Sequence, residues 1–209
     1  MEETMRRRAF PILQPAAVST IAALSLALTA CVLSIEPVIP ESESTFEPAL
    51  LGTWALGGAA DTAVVGRDGK SGYLIDYTDG EGERGQFEGR VGRLGGHMLL
   101  EVTPTALDLD ASDGYTSLFL PGRLLFVVMV RDGEILTTQL RDDSLKVMLR
   151  RGELVTPYLD GVDDAGDGSG HLLLTGTSSQ LRTWLEQYLE RSGVLADTAV
   201  WQPVERGER

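Results

Sequence analysis

RLLFVVMVRDGEILTTQL, residues 123–140, decides the fold. At its centre Asp132-Gly133 supplies two residues tolerant of positive φ, as a tight β-hairpin turn requires. The flanks are rich in branched and aliphatic side chains, and they read as strands over 123–131 and 134–140. Leu124-Leu125-Phe126-Val127-Val128-Met129-Val130 is apolar without alternation, so both faces of the first strand should be covered.

The same grammar repeats on either side. Asp68-Gly69 and Gly95-Gly96 are further turn signals between short apolar segments. Strands are expected near 50–57, 62–67, 72–78, 85–94, 97–103, 115–120, 144–150 and 171–175. In 144–150, Leu145, Val147 and Leu149 alternate with Lys146, Met148 and Arg150, a half-buried strand pattern. Downstream, Thr177 and Gln180 form a T-x-x-Q capping box. Leu181, Trp184, Leu185, Tyr188 and Leu189 then recur with helical spacing, and Gly193 suits the position after the helix. This predicts an amphipathic helix over 178–192 whose apolar stripe covers strand 124–130. The fold class is all-β: an antiparallel meander forming a barrel or curled sheet, with one C-terminal helix. Residues 160–170 read as a polar loop.

The first thirty residues read differently. Arg6, Arg7 and Arg8 precede the apolar run 16–30, which is shorter than the roughly 20 residues a spanning helix needs. Leu28-Thr29-Ala30-Cys31 follows and contains the chain's only cysteine. This string resembles the bacterial lipoprotein lipobox. The resemblance implies cleavage after Ala30, with Leu28, Thr29 and Ala30 as the cleavage motif, and acylation of Cys31 as the lipid attachment site. It thus implies a covalent lipid on Cys31 and a lipid-anchored protein of the cell envelope. Residue 32 is Val rather than Asp, which by lipoprotein sorting implies the outer membrane, facing the periplasm, if the cell has two membranes. Arg7-Arg8-Ala9-Phe10 also resembles a twin-arginine signal, although a plain export signal explains the three arginines as well. Residues 31–48, with Pro37, Pro40 and Pro48 among four glutamates, read as the lipidated Cys and an extended tether. Residues 49–209 are then the β domain.

Leu51-Gly52-Thr53-Trp54 is similar to the G-x-W signature that opens the first strand of lipocalins. In that family the glycine and tryptophan lie at the closed end of an eight-stranded barrel. The resemblance implies a lipocalin-like body over roughly residues 49–192, with Trp54, Phe87, Val91 and Phe126 as candidate ligand-cavity residues.

The chain carries a formal charge of −13. Residues 1–30 hold two glutamates and three arginines, so the chain from Cys31 onward carries −14. Such a body repels phosphates, which argues against nucleic acid as a partner. One cysteine and two histidines (His97 and His171) exclude multi-cysteine metal sites and an intrachain disulfide.

Several strings imitate active motifs. Gly80-Glu81-Gly82-Glu83-Arg84-Gly85 matches a phosphate loop by letter, but it runs into a strand and carries two glutamates, so a hairpin loop is expected. Asp108, Asp110 and Asp113, and Asp160, Asp163, Asp164 and Asp167, lack calcium-loop spacing and read as solvated acidic loops. Ser169 and His171 form no triad pattern. Arg90 and Arg93 read as a solvated strand face. No catalytic residue, metal site or cofactor beyond the covalent lipid is expected. Two functional classes remain: a non-catalytic interaction or structural module docking an envelope protein, and a lipocalin-like binder of a small apolar ligand or lipid.

Overall fold

The computed structural model describes residues 32–57, 60–69, 71–107, 122–160 and 172–204. It begins with strand β1, Val32–Ser34, and two short 3-10 turns, Glu41–Glu43 and Pro48–Leu50. Seven strands follow: β2 (Gly52–Leu56), β3 (Thr62–Asp68), β4 (Gly72–Thr78), β5 (Arg84–Leu94), β6 (His97–Leu107), β7 (Arg123–Arg131) and β8 (Glu134–Leu140). Helix α1 (Asp142–Arg150), β9 (Tyr158–Asp160), β10 (Leu172–Leu174), helix α2 (Ser178–Leu189) and β11 (Leu195–Pro203) complete the order.

Strands β2 to β8 pair with their chain neighbours, β11 lies between β8 and β2, and every pairing among these eight strands is antiparallel. The result is a closed antiparallel barrel of eight strands. The expected all-β meander with a C-terminal helix is therefore what forms. Tight turns enforce it: at the β7–β8 hairpin both Asp132 (φ 54°) and Gly133 (φ 82°) are left-handed.

Register sorts the side chains. Opposed residues share a face, so Val91 with Leu100, Met98 with Val128, and Ile135 with Trp201 all point inward. With Leu50, Trp54 and Tyr73 they form the inner core. The alternate residues Leu94, Leu99 and Leu125 point outward and join α1, α2 and β10 in a second, larger core. Strand β7 is covered on both sides over most of its length, as expected. Phe126 and Val128 belong to the inner core, while Leu125 and Val127 belong to the outer one with Leu181, Trp184, Leu185 and Tyr188 of α2. Only toward its end does the cover stop, where Met129 is 58% exposed.

The α2 capping box forms as the sequence predicts. The Thr177 hydroxyl accepts from the Gln180 amide, and the Gln180 side chain accepts from the Thr177 amide. The helix stops at Leu189, and Gly193 lies in the turn beyond its C-cap Glu190.

Two expectations are corrected. Residues 144–150 are helix, not strand. Leu145, Met148 and Leu149 are buried at i, i+3 and i+4, whereas Val147 is 43% exposed. Short alternation also fits a helical stripe, and the Asp142–Lys146 ion pair at i,i+4 fits only the helix. The second correction concerns the tether. From Val32 onward that segment is packed against the barrel, with Val38 and Ile39 buried. β1 pairs in parallel with β10 and antiparallel with the start of β7, taking the place beside β7 that β8 has left. The strand expected at 115–120 lies outside the described residues.

Candidate functional site

One end of the barrel is closed by the segment before β2. The Trp54 indole N–H donates to the Leu50 carbonyl at 3.0 Å. The Tyr73 hydroxyl accepts from the Glu47 amide at 2.6 Å and donates to the Glu47 carbonyl at 3.2 Å. Phe46 stacks on Tyr73 with ring centroids 5.4 Å apart, and the Arg67 guanidinium lies 4.3 Å over the Phe46 ring. Desolvation raises the Tyr73 phenol above its ordinary range, so it stays a neutral, two-way hydrogen-bonding group. The Thr45 amide also donates to the Val91 carbonyl at 2.8 Å, fastening this plug to β5.

The interior behind the plug is occupied by side chains. Trp54, Tyr73, Val91, Val128 and Ile135 are all buried, and Val91 has no exposed surface. Three of the four predicted cavity residues, Trp54, Val91 and Phe126, meet in this inner cluster. Phe87 does not: it is half-buried and lies toward the opposite end, opposed to Ile75 and Pro104. At that end the inward positions Phe87 and Leu124 remain half-buried. There the Tyr77 hydroxyl donates to Asp61 at 2.7 Å. Burial, followed by this carboxylate, raises its phenol far above the usual value.

A second constellation sits outside the barrel wall. Glu101 on β6 is only 2% exposed. One of its carboxylate oxygens accepts from the Val38 amide at 2.6 Å and the Ile39 amide at 3.3 Å. The other meets the Arg123 guanidinium at 3.3 Å. Arg123 donates further to the Ile35 carbonyl, Arg182 to the Val38 carbonyl and Arg90 to the Ile39 carbonyl. Burial raises the Glu101 carboxyl, opposed by the Val38 N–H and the Arg123 charge. The arrangement satisfies the polar backbone of a buried segment. Sequence reasoning missed Glu101 and Arg123. The available signal was one charge inside the apolar run Met98-Leu99-Leu100-Glu101-Val102.

A third cluster joins α1 to β9. Lys146 contacts Asp142 at 2.8 Å and Asp160 at 3.5 Å, while Arg150 reaches Asp160 at 2.7 Å. The Arg150 hydrogen bond holds the Asp160 carboxyl below its usual range, whereas burial raises Asp142. Asp160, expected in a solvated loop, is thus paired. The Gly80–Gly85 string is a hairpin loop as expected, with the Asp79 carboxylate accepting from the Glu81 and Glu83 amides. Arg90 belongs to the Glu101 constellation, and Arg93 is exposed. A shallow groove of about 360 Å³ lies on the outer surface between α1 and residues 191–194.

Leu28, Thr29, Ala30 and Cys31 lie outside the described residues, as do Asp108, Asp110, Asp113, Asp163, Asp164, Asp167, Ser169 and His171. Among the described residues no group of three or more His, Cys, Asp or Glu side chains is placed to hold a metal. No helix among them is long and apolar enough to cross a membrane.

The class of architecture is a closed eight-stranded antiparallel barrel compatible with a lipocalin-like body, with Gly52 and Trp54 on the strand that enters from the plugged end. Comparison with protein-family models, curated proteins and solved structures returns no match.

Proposed function

We propose that this protein is a lipid-anchored lipoprotein of the cell envelope that acts as a non-catalytic interaction or structural module. The anchor rests on Leu28-Thr29-Ala30-Cys31 placed after an arginine-flanked apolar run. The observation that carries the module reading is the filled barrel. Trp54 (6% exposed), Tyr73 (1%) and Val91 (0%) occupy the interior at the plugged end. An eight-stranded barrel is just wide enough for its own side chains or one small ligand. Here the protein supplies the filling, so the working surface is the outside, and the partner is another envelope protein. Acylation at Cys31 supplies about 0.8 kcal/mol per buried methylene, and two or more chains anchor stably.

Cys31→Ala tests the anchor. Expected are loss of radiolabelled palmitate from the protein and its release from the membrane fraction, or accumulation of uncleaved precursor. Unchanged labelling and fractionation would overturn the reading.

A second reading has its own observation. Phe87 and Leu124 face inward yet stay half-buried, so the end away from the plug offers apolar surface to a small lipid or apolar ligand. An organic extract of protein purified from its host, analysed for stoichiometric lipid besides that on Cys31, separates the two. Its presence supports the binder and its absence the module.

A further inference from the structure

The strands beside residue 31 have two unlike faces. On one face Val32, Leu172 and Leu174 are buried in the outer core, and Tyr158 packs against it. On the other, Leu33, Leu173 and Leu159 stand opposite one another across β1, β10 and β9, and the row continues through Leu33 onto Leu124 of β7 at the open end of the barrel. Exposure along this row grows outward: Leu33 and Leu173 are half-buried, and Leu159 is 59% exposed. Val155, just before β9, is 87% exposed. Neighbouring strands lie about 4.8 Å apart, so the leucine row spans roughly 10 Å.

Val32 is already hydrogen-bonded sheet, and residue 31 lies one peptide, ~3.8 Å, before it. No free tether separates the two. A lipid on Cys31 would therefore hold the row within roughly 15 Å of the headgroups, by the spacings above. Among the described residues, Asp160, adjacent to Leu159, is matched by Arg150 and Lys146. Elsewhere the acidic body disfavours contact with anionic lipid.

We propose that the Leu33–Leu173–Leu159 face rests on the lipid surface that holds the anchor, which fixes the orientation of the barrel relative to the membrane. This inference depends on the anchor reading above. The occupant of the face is the bilayer interface, with leucine side chains entering the acyl boundary as exposed apolar groups do beside a lipid anchor.

The test uses the full chain, processed and acylated in its host and reconstituted into phosphatidylethanolamine–phosphatidylglycerol vesicles. Leu159→Cys and, as a remote control, Val64→Cys each add one thiol for an environment-sensitive fluorophore. Val64 is 47% exposed on the outer face of β3. The acyl mass on Cys31 is read first on the same sample. With the acyl group present, the fluorophore at 159 should be quenched by spin-labelled lipid at least threefold more than at 64. Equal quenching would overturn the orientation and leave the anchor standing. A label at 159 that is shielded from water yet not quenched by lipid would mean a protein partner covers the face, and would also overturn it. Absence of the acyl mass would overturn both.

Discussion

Gly92 shows how one missing side chain fixes a whole segment. A Cβ built there would lie 2.7 Å from the Ile39 Cγ2, well inside van der Waals contact. Gly92→Ala should therefore cost about 1–3 kcal/mol through overpacking. Shortening the neighbour in Gly92→Ala/Ile39→Ala should recover part of that loss, a coupling that a double-mutant cycle in urea measures. Simple additivity would mean that Ile39 does not sit on β5. Glu101 makes a different demand. Burial puts its folded pKa above the ordinary glutamate value. Between that ordinary value, about 4.3, and the raised one, the native state holds a proton that the unfolded chain has lost. Its contribution to stability is full below the ordinary value and falls as pH rises through the folded pKa. Glu101→Gln removes that titration. Urea midpoints from about pH 4 to pH 8 should show a shallower decline with rising pH in the variant than in the parent. Identical slopes would contradict the assignment. Gly92 carries no signal in the sequence and Glu101 only that of one charge inside an apolar run, because a glycine in a strand and a glutamate in a strand acquire their roles only from the segment laid across them.

At the scale of elements, the two helices contrast. The longer run 178–189 carries three helical repeats and a capping box, so its period is unambiguous. Thr177→Ala should cost about 1 kcal/mol in a thermal or urea melt, the usual value of a lost N-cap. Residues 144–150 span about two turns, too few for alternation and helical period to separate. The tertiary cover decides it: Leu145, Met148 and Leu149 face the outer core, and Val147 faces out. Leu145→Ala should cost about 2–5 kcal/mol and Val147→Ala about 0.5 kcal/mol or less. Comparable losses at both positions would restore the strand reading. The segment after Cys31 misleads for a related reason. Prolines and glutamates are typical of free linkers, yet Val38 and Ile39 anchor this one, and arginines from β5, β7 and α2 satisfy its carbonyls.

For the whole molecule, turn chemistry and strand periodicity disclose the meander, and residues 123–140 disclose a strand covered on both sides. Closure is not legible, because it depends on β11 returning between β8 and β2 across two helices and a three-stranded flap. The candidate site is legible in part: Trp54, Val91 and Phe126 do share one interior, whereas Phe46, which stacks on Tyr73 in the plug that closes its end, comes from a segment expected to be loose. The central proposal is an acylated chain whose barrel is filled by its own side chains. A native mass spectrum of the protein, released gently from the membranes of its host, tests this most directly. Expected is one mass, that of the chain from Cys31 onward plus its covalent acyl groups, with no further bound lipid. A mass that retains residues 1–30, lacks the acyl groups, or carries one additional non-covalent lipid per chain would contradict it.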